Sequence, residues 1–373
     1  MKFWRFIAAL WAGLFLTIVF HEVAGAMMMP TQGSMNQYSQ TNLVSDGSFS
    51  SVTTDPNLVN AWGLANLAGS PFWINDNGTG VSTLYDGMGV PQPAAPAPLV
   101  VTIPPPNAAS MGTVSTPTGM VANATAGFVL SSTGPALFIF DTEDGTVSAW
   151  NLGGSSSPPT TATLMVDNSA AGAVYKGLAM GTNTTGTFLF ATNFNSGKVD
   201  VFDNTFAPAT LSGSFADSTI PAGYAPFGIA NINGSLFVSY ALQDSKKHDD
   251  VAGHGHGFVD IFDTNGKLIR RFASRGSLDS PWGMTQATFN FGTFSGAILI
   301  GNFGNGTINA FDPVSGRSLG GMHKSGGSML DIDGLWALSF GNGALNALPD
   351  TLYFTSGPDK GSHGLFGAIT TAN

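Results

Sequence analysis

The chain has no cysteine, which excludes both a disulfide framework and thiolate chemistry. Charge is scarce too. Only 10% of the 373 residues are Asp, Glu, Lys or Arg, and the balance is acidic, with a net charge of −10. A surface of that sign repels a phosphate backbone and an anionic bilayer, so nucleic acid is excluded as an expected partner. After residue 20 no apolar run is long enough to span a bilayer, so no transmembrane segment is expected in the mature form. There is no nucleophile elbow, P-loop, dinucleotide fingerprint or zinc-protease motif.

What is present is glycine, at 49 residues, with 11% aromatics and many Thr, Asn and Ser. Such a chain is poor in helix formers but can build a core, so it reads as an all-β globular protein rather than a disordered one. The N-terminus has the pattern of a secretory signal: Lys2 and Arg5, an apolar stretch over 7–20, then Ala24-Gly25-Ala26. Cleavage is expected near Ala26, which predicts a secreted or periplasmic protein. Residues 27–40 read as a flexible leader and 41–373 as one domain.

One phrase organises that domain. An aromatic or small residue is followed by Gly, an aliphatic residue and an apolar strand, then a turn, then a strand ending in an aromatic residue and Asp. It runs from Trp62-Gly63-Leu64 to Tyr85-Asp86, and again from Trp282-Gly283-Met284 to Phe311-Asp312. The recurring positions are Gly63, Gly119, Gly177, Gly228 and Gly283, with Ala337 or Gly334 as the sixth. The period is roughly 55 residues, near that of kelch-type blades. Turns such as Asn77-Gly78-Thr79-Gly80 and Asn195-Ser196-Gly197 suit tight hairpins. The expected fold is a six-bladed β-propeller of four-stranded blades. The stretches 91–115, 153–161 and 318–332 read as loops. The last copy stops one strand short, and 42–45 is a spare strand, so the N-terminal strand is expected to complete the last blade and spare it an open edge. The recurring Gly is expected on the innermost strand, where a Cβ would crowd the neighbouring blade.

At this phrase the chain resembles six-bladed propellers of the NHL type and of the calcium-dependent lactonase/phosphotriesterase superfamily. Through Pro281-Trp282-Gly283 and Gly334-Leu335-Trp336-Ala337-Leu338-Ser339-Phe340 it resembles a family of uncharacterised exported proteins. The superfamily resemblance implies an axial Ca²⁺ held by oxygen ligands just before the inner-strand Gly. Here those positions are Trp62, Thr118, Lys176, Phe227 and Trp282, joined by Trp336 or Asp333. A mostly apolar ring with one cation lacks the six to eight oxygens Ca²⁺ takes. No cofactor is established by these residues, and the one kind worth testing is a divalent metal.

Three groups are candidate sites. Trp62, Lys176, Phe227, Trp282 and Trp336 would line an axial channel able to take a small molecule, carbohydrate or peptide. Asn75, Asp76, Asp141, Asn193 and Asn302 recur after the second strand; they would cap their own turns or form a polar ring, with Asp76, Asp141, Asn193 and Asn302 as its candidate metal ligands. His248, His254 and His256, in a loop that interrupts the fourth copy, have the spacing of a metal-binding tract on a solvated loop. Two functions follow: a binding or scaffolding module for a protein or small-molecule ligand, or a metal-dependent hydrolase or lyase of the lactonase type.

Overall fold

Each copy of the repeat folds as a meander of antiparallel strands joined by Gly/Asn turns. The computed structural model describes residues 36–94, 97–154 and 157–372. The six sheets form a β-propeller. Blade one contains Ala61–Ala65, Phe72–Asp76, Val81–Tyr85 and Val100–Thr102. Blade two contains Pro117–Ala122, Phe138–Thr142, Thr146–Trp150 and Thr163–Asp167. Blade four contains Tyr224–Ile232, Ser235–Leu242, Phe258–Phe262 and Leu268–Ser274. Blade five contains Pro281–Gln286, Ile298–Asn302, Ile308–Phe311 and Ser318–Gly321. The last of these lies in a stretch expected to be loop.

Blades three and six depart from this plan. Blade three has only Tyr175–Asn183, Gly186–Asn193 and Lys198–Phe202 as regular strands. Its chain touches the outer edge through a Phe202–Pro208 bridge and then leaves. Blade six contains Leu335–Phe340, Leu352–Ser356 and Leu365–Thr371, and Gln37–Ser45 lies antiparallel along the last of these. The short strands Thr53–Thr54 and His323–Lys324 pair with Gln37–Ser45 at its two ends. Residues 37–40, assigned to the leader from sequence, are therefore part of a strand. The expected signal peptide lies outside the described residues. No described helix is long and apolar enough to cross a membrane.

The inner strand is the same in every blade. Its pairing to the second strand slips once, between Ala61 and Leu64, Pro117 and Met120, Tyr175 and Leu178, Pro226 and Ile229, Pro281 and Met284, and Leu335 and Leu338. The third residue of each bulged segment is Gly63, Gly119, Gly177, Gly228, Gly283 and Ala337. The sixth position is therefore Ala337. Gly334 lies one turn earlier at φ 63°.

The reason for glycine is close approach. A Cβ on Gly63 would lie 2.4 Å from the Thr118 carbonyl oxygen, and one on Gly228 would lie 2.2 Å from that of Trp282. The neighbour in each case is the backbone of the next blade, which cannot rotate away. Side chains of the second strand then tie blade to blade. Asn75 Nδ2 donates to the carbonyls of Thr118 and Gly119, at 3.0 and 3.1 Å. The Thr192 hydroxyl donates to Phe227 O at 2.7 Å, and that of Ser239 to Pro281 O at 2.6 Å. The Thr355 hydroxyl donates to Trp62 O, joining blade six to blade one.

Candidate functional site

The residue just before each recurring Gly starts the inner strand, and these residues meet at one end of the axis. Trp62 and Trp336 stack at 3.5 Å between ring centroids, and Phe303 stacks on the other face of Trp336 at 3.9 Å. Trp282 packs edge-on against both tryptophans, and Phe227 tilts against Trp336. Trp62–Trp282 and Phe227–Trp336 join blades that are not neighbours in the ring, so they meet across the centre. The rings thus fill the axis at this end instead of lining a channel there. Phe194 and Phe303 join the layer and were missed from sequence. The signal was an Asn-Phe pair repeated at 193–194 and 302–303.

Lys176 is the one cation of the layer and is only 2% exposed. Its ammonium lies 5.4 Å from the centre of the Trp62 ring, pairs with the Glu143 carboxylate, and lies 3.6 Å from Asp249 Oδ1. Glu143 also accepts from Asn77 Nδ2 at 3.1 Å, and Asn77 Oδ1 accepts from Asn60, whose own oxygen takes the Trp336 indole N–H. On the outer side Asp249 is bonded to His248 Nδ1 at 2.8 Å. That bond holds the Asp249 carboxyl at about 2 and raises the His248 imidazole above its ordinary value. This chain of partners places Lys176, read from sequence as a channel residue, in a neutralised network under the loop of blade four.

The network contains a possible metal-ligand set. Ligand atoms of Glu143, His248 and Asp249 lie within 4.8 Å of one another. The Lys176 ammonium already bonds Glu143 and neighbours Asp249, so a divalent ion would meet a buried like charge and only three donors. That set does not fit a resident metal. The ring of Trp62, Thr118, Lys176, Phe227, Trp282 and Trp336 does not fit one either. Of the three histidines grouped from sequence, only His248 belongs to the cluster. His254 is exposed and makes none of its contacts, and His256 Nδ1 bonds the Val251 carbonyl at 2.8 Å.

The four candidate metal ligands after the second strand fall into two registers. Asp76, Asn193 and Asn302 each pair with the first residue of the bulged segment, opposite Ala61, Tyr175 and Pro281. In blade two that place belongs to Thr142, opposite Pro117. Asp141 is one residue earlier and points to the other face of its sheet, so the four form no common ring. Asn302 binds Ser277 O at 2.7 Å and Asn193 binds Asp200 at 2.9 Å, both local tasks. Asp76 is buried and accepts from the Thr83 hydroxyl at 2.7 Å, and burial raises its carboxyl well above the ordinary range.

Asp141 occupies the inter-blade position. Burial pushes its carboxyl up to about 7, against the lowering effect of the Thr118 hydroxyl bonded at 2.9 Å; its Oδ2 has no partner. Between about pH 4 and pH 7 the folded chain holds a proton that the unfolded chain has released. Stability therefore falls as pH rises through that window, by up to about 1.4 kcal/mol per unit, and is level above it. Asp141→Asn removes the titration. We expect the variant to be more stable than the parent at pH 8, by about 2–4 kcal/mol, with the gap closing towards pH 4. Urea denaturation at the two pH values measures this.

The opposite end of the axis is open. Further along the inner strands, residues 64–66, 120–122, 178–180, 229–231, 283–284 and 337–339 line a funnel of about 340 Å³, with Trp282 at its floor. The Trp282 indole N–H donates across the axis to Lys176 O at 2.9 Å, which holds the ring between the funnel and the charged network. The wall is mixed: the side chains of Leu64, Met120, Leu178, Met180, Ile229, Met284 and Leu338 share it with Asn66, Asn231 and Ser339. Asn66 Nδ2 is buried and has no hydrogen-bond partner among the described residues, whereas Asn231 Nδ2 donates to Met180 O at 2.8 Å. Sequence reasoning missed the funnel because its residues are ordinary strand aliphatics.

No family model matches the chain. It is 33% identical over 337 residues to uncharacterized protein R648 of Acanthamoeba polyphaga mimivirus, covering 88% of this chain and 78% of that one. Among solved structures it is similar to a glucose dehydrogenase, at TM-score 0.52, 12% identity and coverage of 90% and 100%. It is also similar to a streptogramin B lyase, at TM-score 0.50, 12% identity and coverage of 90% and 97%. At that identity the likeness to solved structures establishes a shared propeller fold and nothing further.

Proposed function

The chain belongs to the family of six-bladed propeller proteins that includes R648 of Acanthamoeba polyphaga mimivirus, and we propose that it is a binding module whose axial funnel seats a compact apolar group. The observation that carries this is an open funnel of about 340 Å³ in which aliphatic and methionine side chains share the wall with Asn66, Asn231 and Ser339. A concave site with an apolar body and a few polar groups seats a ligand of the same mixed character. The fitting ligand pairs one aromatic or branched aliphatic ring with one carbonyl or hydroxyl oxygen. The N-terminal pattern of Lys2, Arg5 and Ala24-Gly25-Ala26 supports binding such a ligand outside the cytoplasm, as an exported protein.

A thermal-shift titration with indole, phenol and cyclohexanol tests the reading. Saturating ligand at about 100 Kd should stabilise the fold by about 2.7 kcal/mol. Leu178→Trp, which fills the funnel, should abolish the shift, and a chelator should leave it unchanged. The same shift in Leu178→Trp would refute the assignment. The other reading, a metal-dependent hydrolase or lyase, has only the proximity of Glu143, His248 and Asp249 in its favour, and the Lys176 ammonium bonded to Glu143 counts against it. A ligand response lost on chelation would select it.

A further inference from the structure

We propose that the outer edge of blade three is a docking site for an extended peptide of a partner protein, which adds as the missing fourth strand. The other blades supply the comparison. In blade one, Val81, Ser82 and Thr83 are covered by Thr102, Val101 and Val100, and Val101 is fully buried there. The pairings Asp76–Val81 and Asn193–Lys198 make Lys198, Val199 and Asp200 the equivalent residues of blade three. Among the described residues no strand covers them.

The chain leaves early for a physical reason. Ala209 N donates to Val201 O at 2.8 Å, so the outer strand begins as it does in blade one, where Gln92 N donates to Leu84 O at 2.8 Å. Then Gly213 N and Phe215 N bond the carbonyls of Asn265 and Gly266 in blade four, at 2.8 and 2.9 Å. The Phe215 ring is held by Phe190 and Phe262. Anchored there, residues 210–215 cannot return to their own sheet. Between them and Lys198–Phe202 is a groove of about 730 Å³.

The groove exposes a short backbone template. Alternation along an antiparallel strand makes Val199 point outward wherever Val201 does. The Val199 N–H and C=O and the Val201 N–H therefore face the groove, and none has a hydrogen-bond partner among the described residues. A row of unpaired groups is satisfied by another extended backbone and by little else. The side chains add selectivity: Ala171, Ala173, Pro208 and Leu211 line the groove. The occupant should carry a small aliphatic residue opposite Val199, as Val101 lies opposite Ser82. Residues 210–215 wall the far side, leaving room for one strand and not for the edge of a second sheet.

The probe is a fluorescein-labelled peptide with the sequence of residues 99–104, the strand that fills this place in blade one. It should bind the full chain saturably and slow amide exchange at Val199 and Val201 at least tenfold. Val199→Pro deletes one outward donor at an edge where proline is tolerated, but it also trims a side chain of the core cluster with Phe190 and Phe215, so Val199→Ala, which trims the same side chain and keeps the N–H, is the control. The proline variant should lose at least tenfold in affinity relative to the alanine variant. Equal binding by the two variants, or no protection at the two amides, would overturn the proposal. So would Val199 protection in the free protein that falls on dilution, since a second copy would then be the occupant.

Discussion

Replacing Gly228 by alanine should destabilise the protein by about 3 kcal/mol or more, whereas Ala337→Gly at the equivalent place should cost about 1 kcal/mol or less. The first figure follows from what the new methyl would meet. It would lie 2.2 Å from the Trp282 carbonyl oxygen and 2.9 Å from its carbon, both of them backbone, and 2.9 Å from the Ser239 hydroxyl that bridges blades four and five. No rotamer relieves that clash, so two blades must separate and break the bridge. The sixth interface already accommodates a methyl, so removing it costs only backbone entropy and a little packing. Urea midpoints at constant m-value measure both changes. Equal effects at the two positions would mean that the glycines do not set the approach of the blades.

Removing residues 36–45 should have an effect of the same order as the whole stability of a domain. Tyr38, Leu43 and Val44 are buried, in the clusters that also hold Phe291, Leu352 and Phe366. Their burial is worth about 5 kcal/mol by area, an upper bound for a realistic unfolded state. The backbone of Leu365–Thr371 would lose its antiparallel partner over Tyr38–Ser45 as well. A typical margin of about 5–15 kcal/mol leaves little after such a loss. We expect the chain beginning at Asp46 to be aggregated, and the chain beginning at Asn36 to be folded with a sharp transition. A cooperative, soluble chain from Asp46 would show that the propeller does not depend on this strand.

The fold was legible because the same chemistry recurs from copy to copy. Gly at the bulge in five copies, an aliphatic or methionine residue directly after that position in all six, and the Asn/Gly turns agree. Ser318–Gly321 was unreadable as a strand because two glycines carry no strand preference. The short third blade was unreadable for a different reason. Nothing in Ser212-Gly213-Ser214-Phe215 tells that Phe215 is anchored against blade four. At the axis, the aromatic layer was legible from the residue before each Gly. Glu143 was hidden in a turn, Glu143-Asp144-Gly145, that reads as hairpin chemistry. Asp141 and Asp76 look equivalent in sequence, but they differ by one residue in register, and a slip of one residue in a strand reverses the face. His254 and His256 looked like ligands by spacing, yet only His248 reaches the carboxylates.

All of this rests on an axis closed at one end by stacked rings and open at the other as a funnel. Methionine methyl NMR reads both ends of that statement in one titration with indole. Met120, Met180 and Met284 lie in the funnel wall and Met329 is remote from it. Saturable shifts at those three methyls, with Met329 unmoved, are what the account predicts. Motionless funnel methyls, with indole perturbing the amides of His248 and Asp249 instead, would contradict it.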